Sequence, residues 1–171
     1  MELHDGVIQL RPWTLDDVPA IVAACNDAEI QKWIPIIPRP YTDEDARAFI
    51  MGESRGSAAH QYAITEGGYV VGSIGMAVND SRTGHLGYWC AAETRGRGVT
   101  TRALRLLSKH ALEDLRLERL ELITDPDNLA SQRVAEKVGF QREGVLRSHL
   151  THPDGRRRDS VMFSLLPGEL L

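Results

Sequence analysis

The chain has 171 residues and a formal net charge of −4, with 42% hydrophobic and 26% charged residues. This length suits one compact domain spanning residues 1–171, and the composition is that of an ordinary globular protein. No apolar run approaches the roughly 20 residues that span a bilayer, and the acidic start lacks the pattern of a signal peptide. The negative charge argues against a general nucleic-acid binder. We therefore expect a cytoplasmic protein with no membrane or nucleic-acid partner.

The first half of the chain predicts two helices and a set of antiparallel strands. Apolar residues at helical spacing predict a helix over 18–25 and a second one that begins at a cap near 42–45. Residues 33–40 include three prolines and predict a loop. The predicted strands cover 7–11, 61–65, 69–78 and 85–91. The links between the last three are too short for crossovers, which predicts an antiparallel meander.

The second half predicts a strand–helix–strand unit followed by a hairpin. A helix over 99–115 joins the strand 85–91 to a strand over 119–124, and such crossovers pair parallel strands with a right-handed connection. A short helix over 129–138 ends at a glycine. Strands over 145–152 and 158–165 close the domain. The prediction is a mixed α/β sheet of about seven strands with about four helices.

A glycine-rich turn stands between a predicted strand and a predicted helix. Its sequence is Arg95-Gly96-Arg97-Gly98-Val99-Thr100. Glycines permit unusual backbone angles, and a helix N-terminus offers unpaired N–H groups, so the turn predicts a site for a phosphate or pyrophosphate. A P-loop needs Gly-Lys-Ser/Thr here, and a dinucleotide fingerprint needs a third glycine. A tight turn without a ligand is the remaining alternative.

The same turn resembles the signature of the GNAT acyltransferase superfamily, which is Arg or Gln, two residues, Gly, one residue, and Gly or Ala. Thr100 departs from the final small residue. Further segments, in order, resemble the RimJ/RimL-like branch, which acetylates protein N-termini or related amines: 87–89, 128–131, 136–140, 143–147 and 158–161. The resemblance runs from about residue 10 to residue 166.

This resemblance implies two splayed central parallel strands, with the pantetheine arm of an acyl-CoA in the gap between 85–91 and 119–124. Acetyl-CoA is the default co-substrate, and no metal is implied. The arm would pair with backbone groups of Cys90, Ala91, Ala92 and Glu93, with Asn128 and Ser131 on the other side. The turn, from Arg95 through Gly96, Arg97, Gly98 and Val99 to Thr100, would hold the pyrophosphate.

The reaction implied is attack of an amine on a thioester, so the ammonium must first lose a proton. His85 is the first candidate base because it stands where many members of the family carry a glutamate, and histidine titrates near neutral pH. His60 is a second candidate. His85 also fits a partly exposed strand residue, and His60 an ordinary polar residue before a strand. Ser131 is the candidate acid, since Ala135 stands where many members carry a tyrosine.

The acceptor would lie against Trp33, the loop 34–40 and His85. The expected activity is transfer of an acetyl or short acyl group to a protein or peptide N-terminal amine. A small-molecule amine as acceptor, or a non-catalytic acyl-CoA-binding module, are the alternatives. Cys25 and Cys90 are predicted to be free thiols, and an acyl-enzyme on Cys90 is a weaker alternative. The resemblance also allows a homodimer.

Overall fold

The computed structural model describes residues 2–53, 59–152 and 154–171. These residues form one mixed sheet of eight strands with five helices. The strands are β1 (Leu3–His4), β2 (Gln9–Arg11), β3 (Ala59–Glu66), β4 (Tyr69–Val78), β5 (Thr83–Cys90), β6 (Arg119–Thr124), β7 (Gln141–Thr151) and β8 (Arg157–Leu165). The helices are α1 (Val18–Cys25), α2 (Ala28–Trp33), α3 (Asp43–Met51), α4 (Val99–Glu113) and α5 (Leu129–Val138).

The strands lie in the order β1-β2-β3-β4-β5-β6-β8-β7. Strands β1 to β5 form the antiparallel meander, and β6 pairs parallel to β5 after the α4 crossover. The predicted mixed α/β architecture is confirmed, with β1 and α2 as additions. Helix α2 has only six residues, too few to leave a clear periodic pattern. It is held by the Asp27 carboxylate, which accepts a hydrogen bond from the Ile30 N–H (3.0 Å), and by burial of the Ile30 side chain.

The two parallel strands separate part of the way along. Only the first four residues of each strand pair with the other, up to Leu86 of β5 and Leu122 of β6. Beyond that point β5 continues to Cys90 paired with β4, whereas the end of β6 pairs with β8. The predicted splay is confirmed. We call the opening beyond Leu86 and Leu122 the strand gap.

The sheet has two differently covered faces. On the front face, α4 and α5 pack against the core of the sheet, whose largest fully buried side chains include Leu104, Leu107, Leu120 and Phe163. On the back face, α1, α2 and α3 form a second core that includes Trp89. Side chains alternate along a strand, so Leu86, Tyr88 and Cys90 point to the front, while His85, Gly87 and Trp89 point to the back. None of the helices in the described ranges is long and apolar enough to cross a membrane.

Candidate active site

A cavity of about 580 Å³ opens beside the strand gap. Its walls come from the end of β5, the glycine–arginine turn, the first turn of α4, the N-terminal half of α5 and helix α2. The lining residues that carry the argument are Tyr88, Cys90, Gly98, Thr100, Asn128 and Ser131. Segments distant in sequence therefore converge on one space large enough for an extended ligand.

The glycine–arginine turn provides one end of this cavity. Gly96 and Gly98 have φ of +76° and +80°, a region that residues with a side chain rarely adopt. Gly98 is the N-cap of α4, so Val99 and Thr100 occupy the first helical positions. Their N–H groups have no partner within the helix, and the helix dipole is positive at this end. The turn thus has the backbone of an anion site.

The arginines of the turn are held by carboxylates from other segments. Arg95 pairs with Asp27, Arg97 with Glu66 (2.6 Å) and Arg102 of α4 with Asp5 (2.8 Å). Partial burial raises the pKa of Asp27, but the hydrogen bonds from Arg95 and from backbone N–H groups, together with the Arg95 charge, outweigh it, and the pKa lies below its ordinary value. A phosphate at the turn would therefore have to share these arginines with internal acids.

The opposite wall is the start of α5. The Asn128 carboxamide accepts a hydrogen bond from the Ser131 N–H (3.1 Å), so Asn128 caps the helix, the role the sequence also allowed for it. Both residues line the cavity. Asn128 and Ser131, which the resemblance assigns to cofactor binding, thus share one cavity with the turn.

Tyr88 is a cavity residue that the sequence did not single out. Its hydroxyl lies 2.9 Å from the Ser131 hydroxyl and 3.2 Å from the Ser131 carbonyl oxygen. Burial raises the pKa of Tyr88 to about 12, although the contact with Ser131 works against that shift. The phenol therefore keeps its proton at any working pH. The available signal was strand alternation, which places Tyr88 on the front face with Leu86 and Cys90.

The other residues predicted to bind the cofactor divide into two groups. Cys90, Arg95, Gly96, Gly98, Val99 and Thr100 line the cavity, but Ala91, Ala92, Glu93 and Arg97 are not part of its wall. Within the protein, the Ala91 N–H donates to the Val71 carbonyl (2.9 Å) and the Ala91 carbonyl accepts from the Thr94 N–H (3.1 Å). The Cys90 sulfur lies 3.1 Å from the Thr94 hydroxyl.

His85 lies outside this cavity, in a smaller pocket of about 150 Å³. Its Nδ1 is 3.0 Å from a carboxylate oxygen of Glu121, and its Nε2 is 3.4 Å from the Asn79 side-chain nitrogen. His149 and Met162 also line the pocket. Because His85 and Glu121 point to the back face, we call this space the back pocket.

His60 does not approach either site. It pairs with Met76 of β4, which in turn pairs with Leu86 of β5. His60 is therefore two strands from β5, roughly 10 Å away at the usual strand spacing. Side chains directly opposite in a sheet share a face, so His60 points to the front and His85 to the back. The structure does not bring the two candidate bases together.

Trp33, which the resemblance predicts to form a wall of the acceptor site, lines the large cavity from helix α2 and is not part of the back pocket. Its carbonyl oxygen accepts a hydrogen bond from Arg158 of β8 (3.2 Å), and Arg158 also pairs with Asp125 (3.3 Å). Both side chains are largely buried, with 10% and 14% of their surface exposed. This ion pair, which sequence reasoning missed, ties α2 to the turn before α5.

Comparison with known proteins agrees with this geometry. The family profile described as "Acetyltransferase (GNAT) domain" matches residues 8–141. The Bacillus subtilis protein YdaF, whose name proposes a ribosomal N-acetyltransferase activity, is 32% identical over 150 residues. That alignment covers 84% of this chain and 81% of YdaF.

Solved structures are similar over nearly the whole chain. An acetyltransferase structure from T. thermophilus has 32% identity and a TM-score of 0.86, covering 98% of this chain and 90% of its own. Mycobacterium smegmatis RimJ, solved with a CoA disulfide, has 25% identity and a TM-score of 0.86, covering 99% of this chain and 88% of its own.

Proposed function

Because this chain belongs to the GNAT acetyltransferase family, we propose that it transfers an acetyl group from acetyl-CoA to the N-terminal amine of a protein or peptide. The family makes it an acyl-CoA-dependent N-acyltransferase. The protein acceptor is the finer proposal, and it rests on the ribosomal acetyltransferase activity that the name of YdaF proposes. Direct attack within a ternary complex, a cytoplasmic location and a homodimer belong to the same proposal and remain predictions.

The observation that carries the proposal is that two pockets adjoin the strand gap. The cavity beside the glycine–arginine turn includes Tyr88 and Ser131 from the front face and Trp33 from α2, and the back pocket is lined by Leu86 of β5 and Ile123 of β6, where pairing ends. An acyl-CoA in the cavity and an amine in the back pocket would meet in the gap. This arrangement favours direct transfer of the acyl group from CoA to the amine over a mechanism with an acyl-enzyme intermediate. Two bound reactants held in the correct orientation can react without such an intermediate.

The back pocket has the charge and hydrogen bonds that an ammonium acceptor requires. The Glu121 carboxylate lies 3.0 Å from His85 Nδ1 and accepts a hydrogen bond from Arg119 Nε (2.7 Å), which holds it in place. A ring proton on Nδ1, shared with Glu121, would leave the lone pair of His85 on Nε2, which lies 3.4 Å from the Asn79 side-chain nitrogen. His85 would then take the amine proton at Nε2, and Glu121 would stabilise the resulting imidazolium.

The experiment is to incubate the protein with acetyl-CoA and an acceptor panel while thiol release is followed. The panel holds peptides with free N-termini, the same peptides with blocked N-termini, lysine side-chain amines and small amines such as polyamines. We expect turnover with free N-termini that blocking abolishes. Turnover on small amines alone would contradict the protein acceptor, and failure to bind any acyl-CoA by calorimetry would contradict the function itself.

Replacement of the candidate bases tests the back pocket. We expect His85→Gln to lower kcat/KM for the amine by roughly 100-fold, the lower end of the usual contribution of a general base, with acetyl-CoA affinity unchanged. His60→Gln distinguishes the second candidate, and His4→Gln, at an exposed position, is the matched control. A larger loss in His60→Gln than in His85→Gln would move the base to the front face.

A further inference from the structure

The departing sulfur must be protonated or stabilised by a hydrogen-bond donor. Ser131, the residue predicted for this role, is a weak donor by itself. A serine hydroxyl is a poor acid, and its single proton can point in several directions. Ala135, at the position where the resemblance would place a tyrosine, is fully buried in the front core. The chain has instead placed a tyrosine on the facing strand, at hydrogen-bonding distance from Ser131.

We propose that Tyr88 is a positioning residue that orients the Ser131 hydroxyl, so that the serine proton points into the cavity at the departing sulfur of CoA. The inference rests on the proposed function for its chemical role. It assigns Tyr88 no contact with the substrate. Tyr88 acts through Ser131, which lines the same cavity.

The distances around the Tyr88 hydroxyl favour an orientation in which the Ser131 proton points into the cavity. The Tyr88 hydroxyl has one proton and two acceptors within reach, the Ser131 Oγ at 2.9 Å and the Ser131 carbonyl oxygen at 3.2 Å. Hydroxyl hydrogen bonds are usually about 2.5–3.0 Å long, so Oγ is the better acceptor. When Tyr88 donates to Oγ, the Ser131 proton is released from the pair and can point into the cavity.

A negative sulfur strengthens the same arrangement. Hydrogen bonds in a chain polarise one another, so a thiolate that accepts from Ser131 also favours donation from Tyr88 to Ser131. The phenol keeps its proton because burial raises the pKa of Tyr88 to about 12. Tyr88 therefore serves as a hydrogen-bond donor, and its proton does not move to sulfur.

The step balances without any further reactant. The amine nitrogen forms the C–N bond, the C–S bond breaks, and the electron pair of that bond leaves with sulfur. The acceptor reacts as the neutral amine, after its ammonium form has lost one proton to solvent, and the proton that leaves the nitrogen as the amide forms goes to His85 Nε2. The Ser131 hydrogen bond stabilises the thiolate, which later takes a proton from water.

The direct test is the pKa of the CoA thiol in the complex of the protein with CoA, followed by the ultraviolet absorbance of the thiolate. A hydrogen bond to the thiolate favours the charged form, so we expect the bound thiol to have a lower pKa than free CoA. Ser131→Ala should raise the thiol pKa by about one unit. Tyr88→Phe alone should raise it by at least half as much. Tyr62→Phe is the control, because Tyr62 is buried in the same core outside the cavity wall.

Steady-state kinetics supply the second test. Tyr88→Phe should lower kcat about fivefold to tenfold while KM for acetyl-CoA changes less than twofold, since one neutral hydrogen bond is lost. In the Ser131→Ala background the same replacement should have no further effect on kcat. Thermal unfolding of each variant verifies that it is folded.

The outcomes separate this inference from the proposed function. An unchanged thiol pKa in Tyr88→Phe, together with a raised one in Ser131→Ala, overturns the positioning role. An equal loss of kcat with and without Ser131 also overturns it. If the protein binds CoA but acetylates no amine, the proposed function fails, and the thiol titration still decides whether Tyr88 orients Ser131. If CoA does not bind, both fail.

Discussion

The glycine–arginine turn and the strand gap lie at opposite ends of one cavity, yet they are built in different ways. The turn consists of six consecutive residues, and the anion site proposed there would use backbone N–H groups at the start of α4. The gap brings together side chains from β5, β6, α5 and β8, and the contact between Tyr88 and Ser131 joins residues 43 positions apart in the chain. The first is a local structure, and the second exists only in the folded sheet.

This contrast teaches where each part is vulnerable. Replacement of a residue in the turn should weaken CoA binding through a local change of the backbone. The geometry of the gap should instead be lost when distant ion pairs that hold its walls are removed, although those residues touch no substrate. The predictions that follow test this division.

The largest effect is expected from Arg158→Met, which removes one partner of the buried pair with Asp125. The variant leaves a carboxylate with only 14% exposure uncompensated, and we expect the free energy of unfolding to fall by about 3–5 kcal/mol. Denaturant titration measures it. The double variant Arg158→Met/Asp125→Asn should regain part of the lost free energy of unfolding. If the single and double variants are equally unstable, packing of the Arg158 side chain contributes more than its charge.

The next effect is local to the turn. Gly98→Val forces a branched residue to φ near +80° and disturbs the N–H groups after it, so we expect CoA affinity to fall about 100-fold. Calorimetry measures the dissociation constant. Gly155→Ala, at φ +84° in the β7–β8 connection, is the control for strain alone. A comparable loss of affinity in that control would contradict the local account.

A smaller effect is expected from Asp27→Asn, which tests whether an internal acid competes for the turn. Asparagine caps a helix as well as aspartate, so α2 keeps its cap while Arg95 loses its ion-pair partner. Exposed ion pairs contribute about 0–1 kcal/mol, so CoA affinity should rise by no more than about fivefold. A weaker affinity would mean that Asp27 helps to place Arg95 for the phosphate.

The smallest effect concerns the support of the back pocket. The Arg119 guanidinium and the Ser164 hydroxyl lower the pKa of Glu143 from its ordinary 4.5 to about 2. A lowered carboxyl pKa adds stability above pH 4.5, and that stability is lost as the pH falls from 4.5 to about 2. Glu143→Gln should therefore be less stable than the parent by under about 1 kcal/mol at about pH 6, and the difference should vanish near about pH 2. A constant difference across this range would contradict the ion-pair account.

Most of the fold could be predicted from the sequence, and so could one side of the site. The meander, the parallel crossover and the glycine turn follow from spacing and short connections. Asn128 and Ser131 could be placed because they lie within one helical turn of each other. The short helix α2 could not be predicted, because its stability comes from one cap and one buried isoleucine.

The catalytic candidates were harder to place. His85 occurs on a predicted strand and His60 directly before one, but pairing register decides which face each one reaches, and a shift of one residue would exchange the faces. Tyr88 stood inside a recognised segment without any sign that its hydroxyl would meet Ser131. Neither Arg158 nor Asp125 carries a local signal for the other.

The sequence by itself determined the glycine turn and its place at the start of a helix, because glycine conformation and helix capping act over a few consecutive residues. Only the tertiary structure decided what lies beside the strand gap. Strand order, register and the departure of β6 from β5 place Tyr88 against Ser131 and His85 against Glu121 on opposite faces of the sheet. Such contacts depend on long-range pairing of the backbone, which no short stretch of residues encodes.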